Sequence, residues 1–110
     1  LAESMRNHIE IAEAAAARLD ATPRFNLAAP VSFSTVCFRA VGLGDVEAED
    51  RWNRDILSRV NAEGRVFLSH TELEGRYTLR LSVGSVHTEL KHVTEALDAL
   101  ERAADDLIPG

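Results

Sequence analysis

An arginine stands in the most regular stretch of this chain. From Tyr77 to Val83 the residues alternate, with Tyr77, Leu79, Leu81 and Val83 set against Thr78, Arg80 and Ser82. Successive side chains of a strand point to opposite faces, so Arg80 lies on a polar strand face. A planar guanidinium held there, with its fixed fork of donors, suits a carboxylate or a phosphate. The other role open to it is a surface ion pair with a neighbouring carboxylate. Arg39, in Val36-Cys37-Phe38-Arg39, repeats the arrangement on a second strand.

The remaining reactive side chains do not converge on a site. His8, His70, His87 and His92 include no pair four residues apart, so no zinc site is expected. Cys37 is the only cysteine, which excludes an internal disulfide and a multi-cysteine metal site. With no base in view it reads as a small hydrophobe rather than a nucleophile. Lys91, the single lysine among 12 basic residues, follows Leu90 of an apolar helical stripe. One residue is about 100° of helix, which places Lys91 in solvent. Gly42-Leu43-Gly44 lacks the third glycine of a dinucleotide fingerprint and reads as a turn. Val83-Gly84-Ser85-Val86 is not a serine-nucleophile motif. The acids between Asp45 and Asp50, and the pair Asp105-Asp106, read as helix caps and solvated faces. No catalytic and no metal-binding residue is assigned.

The elements that must position Arg80 follow from periodicity. Met5, Ile9, Ala12, Ala16 and Leu19 form one apolar stripe of a helix over residues 3–20, ended by Pro23. Strands are expected over residues 24–28 and 33–41, close enough to pair as a hairpin. A helix over 46–62 starts behind Asp45, buries Trp52, Ile56 and Val60, and stops at Gly64. Strands over 66–71 and 76–83 are joined by the turn Glu72-Leu73-Glu74-Gly75. A last helix, capped by Thr88, carries Leu90, Val93, Leu97, Leu100 and Leu107, and Pro109 stops it. The order αββαββα predicts an α+β fold, a four-stranded antiparallel sheet with three helices on one face. The opposite face would carry Thr35, Cys37, Arg39, Ser69, Thr71, Thr78, Arg80 and Ser82, with Phe67 marking the apolar side of its strand.

Composition sets the class. At 110 residues, 45% hydrophobic and 27% charged, residues 1–110 read as a single globular domain. A net charge of -6 argues against a nucleic-acid partner. No apolar run approaches the roughly 18 residues of a membrane span, and no signal-peptide pattern opens the chain. A soluble, cytoplasmic protein is expected.

Several segments in fixed order carry a family likeness: Thr22-Pro23-Arg24-Phe25, Val36-Cys37-Phe38-Arg39, Arg59-Val60-Asn61-Ala62, Val66-Phe67-Leu68-Ser69, Leu79-Arg80-Leu81 and Thr88-Glu89. Together they resemble the C-terminal small domain of the pyridoxal-phosphate-dependent group II amino-acid decarboxylases, the aromatic-L-amino-acid branch in particular. The resemblance implies an enzyme whose pyridoxal phosphate is held as a Schiff base by a lysine of a large domain outside these 110 residues. Lys91 is not in that context. It also implies an amino-acid substrate, a large domain of the same chain as partner, and a homodimer. Arg80 matches an arginine at or near the substrate site of related decarboxylases, which in the glutamate-specific branch contacts a substrate carboxylate. Arg80 is therefore the one substrate-binding candidate, its rival role being to brace the small domain on the large one. The small domain of a pyridoxal-phosphate aminotransferase and a non-enzymatic α+β ligand-binding module are the alternatives. A ferredoxin-like module is disfavoured by the element order.

Overall fold

The computed structural model describes residues 2–63, 68–83 and 90–109, with side chains from Asn7 in the first stretch and from Lys91 in the last. Helix α1 spans Ala2–Ala21, strands β1 and β2 span Phe25–Leu27 and Thr35–Ala40, and helix α2 spans Val46–Glu63. Strands β3 (Ser69–Leu73) and β4 (Arg76–Ser82) and helix α3 (Leu90–Asp106) complete the order αββαββα. The four strands form one antiparallel sheet in the order β1-β2-β4-β3, so the two hairpins join through β2 and β4. This is the expected α+β fold.

The helices lie on one face because only one face is apolar. Val36, Phe38 and Ala40 of β2 and Leu79 and Leu81 of β4 are buried beneath them. From α2, Trp52, Ile56 and Val60 complete that layer at helical spacing. Alanine is prominent on the buried sides of α1 and α3. Ala12, Ala15 and Ala16 of α1 are buried, as are Ala96, Ala103 and Ala104 of α3. Small side chains let helix backbones approach closely, so these alanines contribute packing as well as helix propensity. Polar bonds fix the approach: Trp52 Nε1 donates to the Ala104 carbonyl at 3.1 Å, and Arg18 pairs with Asp98 at 2.6 Å and Glu101 at 3.0 Å. Among the described residues no helix is long and apolar enough to cross a membrane.

Two expectations are corrected. The third strand runs over Ser69–Leu73, so Glu72 and Leu73 belong to it and not to the turn. Only Glu74 and Gly75 turn the chain, with φ of 54° and 74°. A two-residue hairpin turn with both central residues left-handed follows the twist of its strands, whereas a four-residue turn would have ended the pairing earlier. Glu49 does not lie on a solvated helix face but is 8% exposed. The expected strand start at Val66, the Gly64 stop, the orientation of Phe67 and the Thr88 cap lie outside the described residues.

Candidate functional site

The face turned away from the helices is built by the register of the three longer strands. Thr35 pairs with Ser82 and Cys37 with Arg80 across β2 and β4, while Ser69 pairs with Arg80 and Thr71 with Thr78 across β3 and β4. Directly paired residues share a face, so Thr35, Cys37, Arg39, Ser69, Thr71, Thr78, Arg80 and Ser82 assemble on one surface as expected. Arg39 lies two residues along β2 from the partner of Arg80, which makes the two arginines diagonal neighbours, roughly 7–8 Å apart at Cα.

The electrostatics of this surface are one-sided. The chain has 18 acidic residues, yet none stands among these eight. Among the described residues neither Arg39 nor Arg80 makes an ion pair. The surface-ion-pair role left open for Arg80 is thus not the one seen. Arg80 is exposed, and its Nε donates to Ser69 Oγ at 3.0 Å. Arg39 lies lower. Its Nη2 donates to Thr78 Oγ1 at 3.2 Å, while its buried Nε has no acceptor. Thr78 is itself fully buried, donating to the Arg76 carbonyl at 3.1 Å. The face therefore presents two guanidiniums with unused donors and no anion of its own. It can receive a carboxylate, a phosphate or a row of carbonyls. Cys37 is half-buried beside Arg80, and no histidine lies among the eight.

The strand positions of that face depend on polar side chains of α2. Asn53 is fully buried and clamps Ala40, accepting from its N–H at 2.7 Å and donating to its carbonyl at 3.1 Å. Two turns later Asn61 does the same to Leu68, at 2.7 and 3.0 Å. Glu49 accepts from the N–H groups of Gly42 and Leu43 and pairs with Arg76 at 2.7 Å. None of these three was marked as buried from the sequence. The signal was available: Glu49 and Asn53 precede Trp52 and Ile56 by three residues each, on the same helical stripe.

Burial alone would raise the Glu49 carboxyl, but the Arg76 guanidinium and the two backbone N–H groups outweigh it and hold the carboxyl below its usual range. A group whose folded-state pKa is lowered stabilises fully above its unfolded value, and that contribution is lost as pH falls through the folded value. Glu49→Gln is therefore expected to lower the melting temperature at pH 7 by about 5–10 °C, on the order of 1–2 kcal/mol. The gap should close as pH falls below the ordinary 4.5 of a glutamate, as Glu49 itself becomes protonated. Parallel melting-temperature curves for the two proteins between pH 7 and 3 would contradict this role.

A concavity of about 600 Å³ lies between α2 and the β3–β4 hairpin. The His70 and Tyr77 rings stack there at 4.6 Å, and the Arg54 guanidinium sits 5.1 Å from the Tyr77 ring centre. Burial, set against the nearby Arg54 charge, pushes the Tyr77 phenol up. Asp50, which also lines this concavity, is engaged by Arg76 and the Tyr77 N–H. Among the described residues no cluster of His, Cys, Asp or Glu could hold a metal ion.

No family model matches the chain. Individual relatives do. The chain is 38% identical over 105 residues to phenylacetaldehyde synthase of Arabidopsis thaliana and 39% identical over 105 residues to tryptophan decarboxylase 2 of Oryza sativa subsp. japonica. Each alignment covers 94% of this chain and 21% of the relative. Among solved structures, Catharanthus roseus tryptophan decarboxylase in complex with L-tryptophan matches 96% of this chain with a TM-score of 0.89 at 33% identity. Along nearly its whole length the chain is homologous to a segment of aromatic amino-acid decarboxylases. The Oryza sativa tryptophan decarboxylase with pyridoxal phosphate and tryptamine agrees still better in shape, with a TM-score of 0.92 at 28% identity over 97% of this chain. These matches take up 22% and 24% of the two solved chains. The chain spans about a fifth of the length of the curated relatives it matches, and its helix-backed antiparallel sheet matches the small domain of these structural neighbours.

Proposed function

We propose that this chain is the small domain of a pyridoxal-phosphate-dependent decarboxylase acting on an aromatic L-amino acid. The family match along nearly the whole chain carries this reading. The described residues offer no lysine placed for the cofactor's Schiff base. Lys91, the single lysine, is exposed on α3, whereas a Schiff-base lysine needs a desolvated, pKa-lowering site. The cofactor would be held by the remainder of the enzyme.

The domain would contribute its carboxylate-free face. Two guanidiniums without anionic partners suit a polar contact with the cofactor-carrying part of the chain, of the kind common between domains. Arg80, the more exposed of the two, faces outward on it and is the substrate-binding residue of this reading. A homodimer in the cytoplasm is the assembly and location the reading implies.

The test uses the full-length enzyme with pyridoxal phosphate, following carbon dioxide release from L-tryptophan, L-tyrosine and L-phenylalanine. Release from at least one, dependent on the cofactor, is expected. Cofactor binding with amino-group transfer and no carbon dioxide would replace this reading by the aminotransferase one. Phenylglyoxal modification of the same folded protein should be slow at Arg80; rapid modification there would remove that face from the contact.

A further inference from the structure

Phe33 combines two unfavourable features that no contact given among the described residues offsets. It is 81% exposed, far more than any other large hydrophobic residue among those described. Its φ is 54°, in the left-handed region that side chains rarely adopt. The local geometry explains the second feature. Thr35 N–H donates to the Ser32 carbonyl at 2.9 Å and Ser32 N–H to the Thr35 carbonyl at 3.2 Å, closing a two-residue turn on Phe33 and Ser34. Only the first central residue of that turn is left-handed, a position such turns normally give to glycine. A large aromatic ring occupies glycine's place and is turned out into water.

The turn sits at a defined end of the sheet. Val83 N–H donates to the Ser34 carbonyl at 2.8 Å, the last rung between β2 and β4, and the Thr35–Ser82 and Cys37–Arg80 rows follow. Phe33 therefore borders the polar face at the end nearer to Arg80. An observed backbone outlier points to a constraint met elsewhere, and an outward aromatic beside a polar surface is the usual composition of an interface anchor.

We propose that Phe33 is the apolar anchor by which this domain docks onto the rest of the enzyme, its ring seated in an apolar pocket of the cofactor-carrying part beside the contact of the polar face. The inference rests on the reading of the chain as one domain of a larger enzyme. Relatives of the family carry about four-fifths of their length outside the matched segment, where 21% is matched, so chain enough exists to cover the ring. The turn then has a purpose: it projects the ring beyond the sheet, which a strand position would not do.

The experiment places the photo-crosslinking residue p-benzoylphenylalanine at position 33 of the full-length enzyme. Position 46 is the control, since Val46 is 52% exposed but lies past the opposite end of β2. After irradiation, digestion and mass spectrometry, position 33 should join to peptides outside the 110-residue segment, and position 46 should do so far less. Equal yields, crosslinks confined to the segment, or a link between two copies of the segment would overturn the proposal. Phe33→Gly, which suits the turn and so does not threaten folding, should speed phenylglyoxal modification of Arg80 on the polar face by about 10-fold or more as the docked state opens more often. An unchanged modification rate would also overturn it. Neither readout needs catalysis, so an inactive enzyme that crosslinks keeps this inference, while an active one that does not loses it alone.

Discussion

Arg80→Ala in the full-length enzyme is expected to lower kcat/KM by roughly 10- to 150-fold, with the melting temperature changed by no more than about 2 °C. The size follows from one charge-assisted hydrogen bond to an anionic group, worth about 1.5–3 kcal/mol. The small stability effect follows from position. Arg80 is exposed, makes no ion pair among the described residues, and bonds only Ser69 Oγ through its Nε. Its two Nη groups make no bond within the described structure and are the part offered to a ligand or partner.

The rival role, a brace between domains, gives a different pattern. Lost docking would lower stability and activity together, and activity per folded molecule would stay normal. Steady-state kinetics measured beside a melting curve separates the two, and normal kcat/KM in a destabilised Arg80→Ala enzyme would remove Arg80 from the substrate site. Arg39 is the better brace on geometry. Its Nε is already buried without an acceptor, a condition that costs free energy until a partner supplies one.

The sheet was legible because its strands alternate strictly. In β2, Val36, Phe38 and Ala40 are buried and Thr35, Cys37 and Arg39 half-buried, the pattern the sequence implies for one covered face. Helix α2 was legible from Trp52, Ile56 and Val60 for the same reason. Polar residues inside an apolar stripe were harder to read. Glu49 and Asn53 have the composition of a solvated helix face, and only their spacing from Trp52 and Ile56 marks them as buried. Hairpin register was likewise beyond composition. A left-handed Glu74 is not announced by its residue type, so the expected turn is two residues too long and the expected β3 ends two residues too soon. Phe33 was hidden behind a strand-like run, because its outlying φ belongs to the folded backbone alone.

The residue whose loss should damage the fold most is Asn53, and the ladder between β2 and β4 shows why. The β2–β4 pairing is given down to Phe38 with Leu79. The next pair on the same hydrogen-bonding edge of β2 would join Ala40 to Tyr77. Instead the Tyr77 N–H donates to Asp50 Oδ1 at 3.2 Å, and both backbone groups of Ala40 bond to the Asn53 amide. The amide thus stands where a strand would, and its second N–H donation goes to the Glu49 carbonyl at 2.8 Å within its own helix. Asn53→Ala removes both partners of Ala40 at a position closed to water, leaving a donor and an acceptor unsatisfied. At about 1–3 kcal/mol for each, the loss comes to roughly 3–5 kcal/mol, a large share of the stability of one domain. A fall in melting temperature of about 15 °C is expected. Asn53→Asp is expected to be no better: it keeps an acceptor for the Ala40 N–H but loses both donations and buries a charge. Asn61→Ala should cost less, since Asn61 is half-exposed and water can reach the Leu68 groups. Arg39 is the neighbour of Ala40 in β2, so the same clamp also holds the arginine-bearing end of the polar face in register with Arg80. A fall of less than about 4 °C for Asn53→Ala, on the order of 1 kcal/mol or less, would mean that water or a shifted β4 satisfies Ala40 without the clamp.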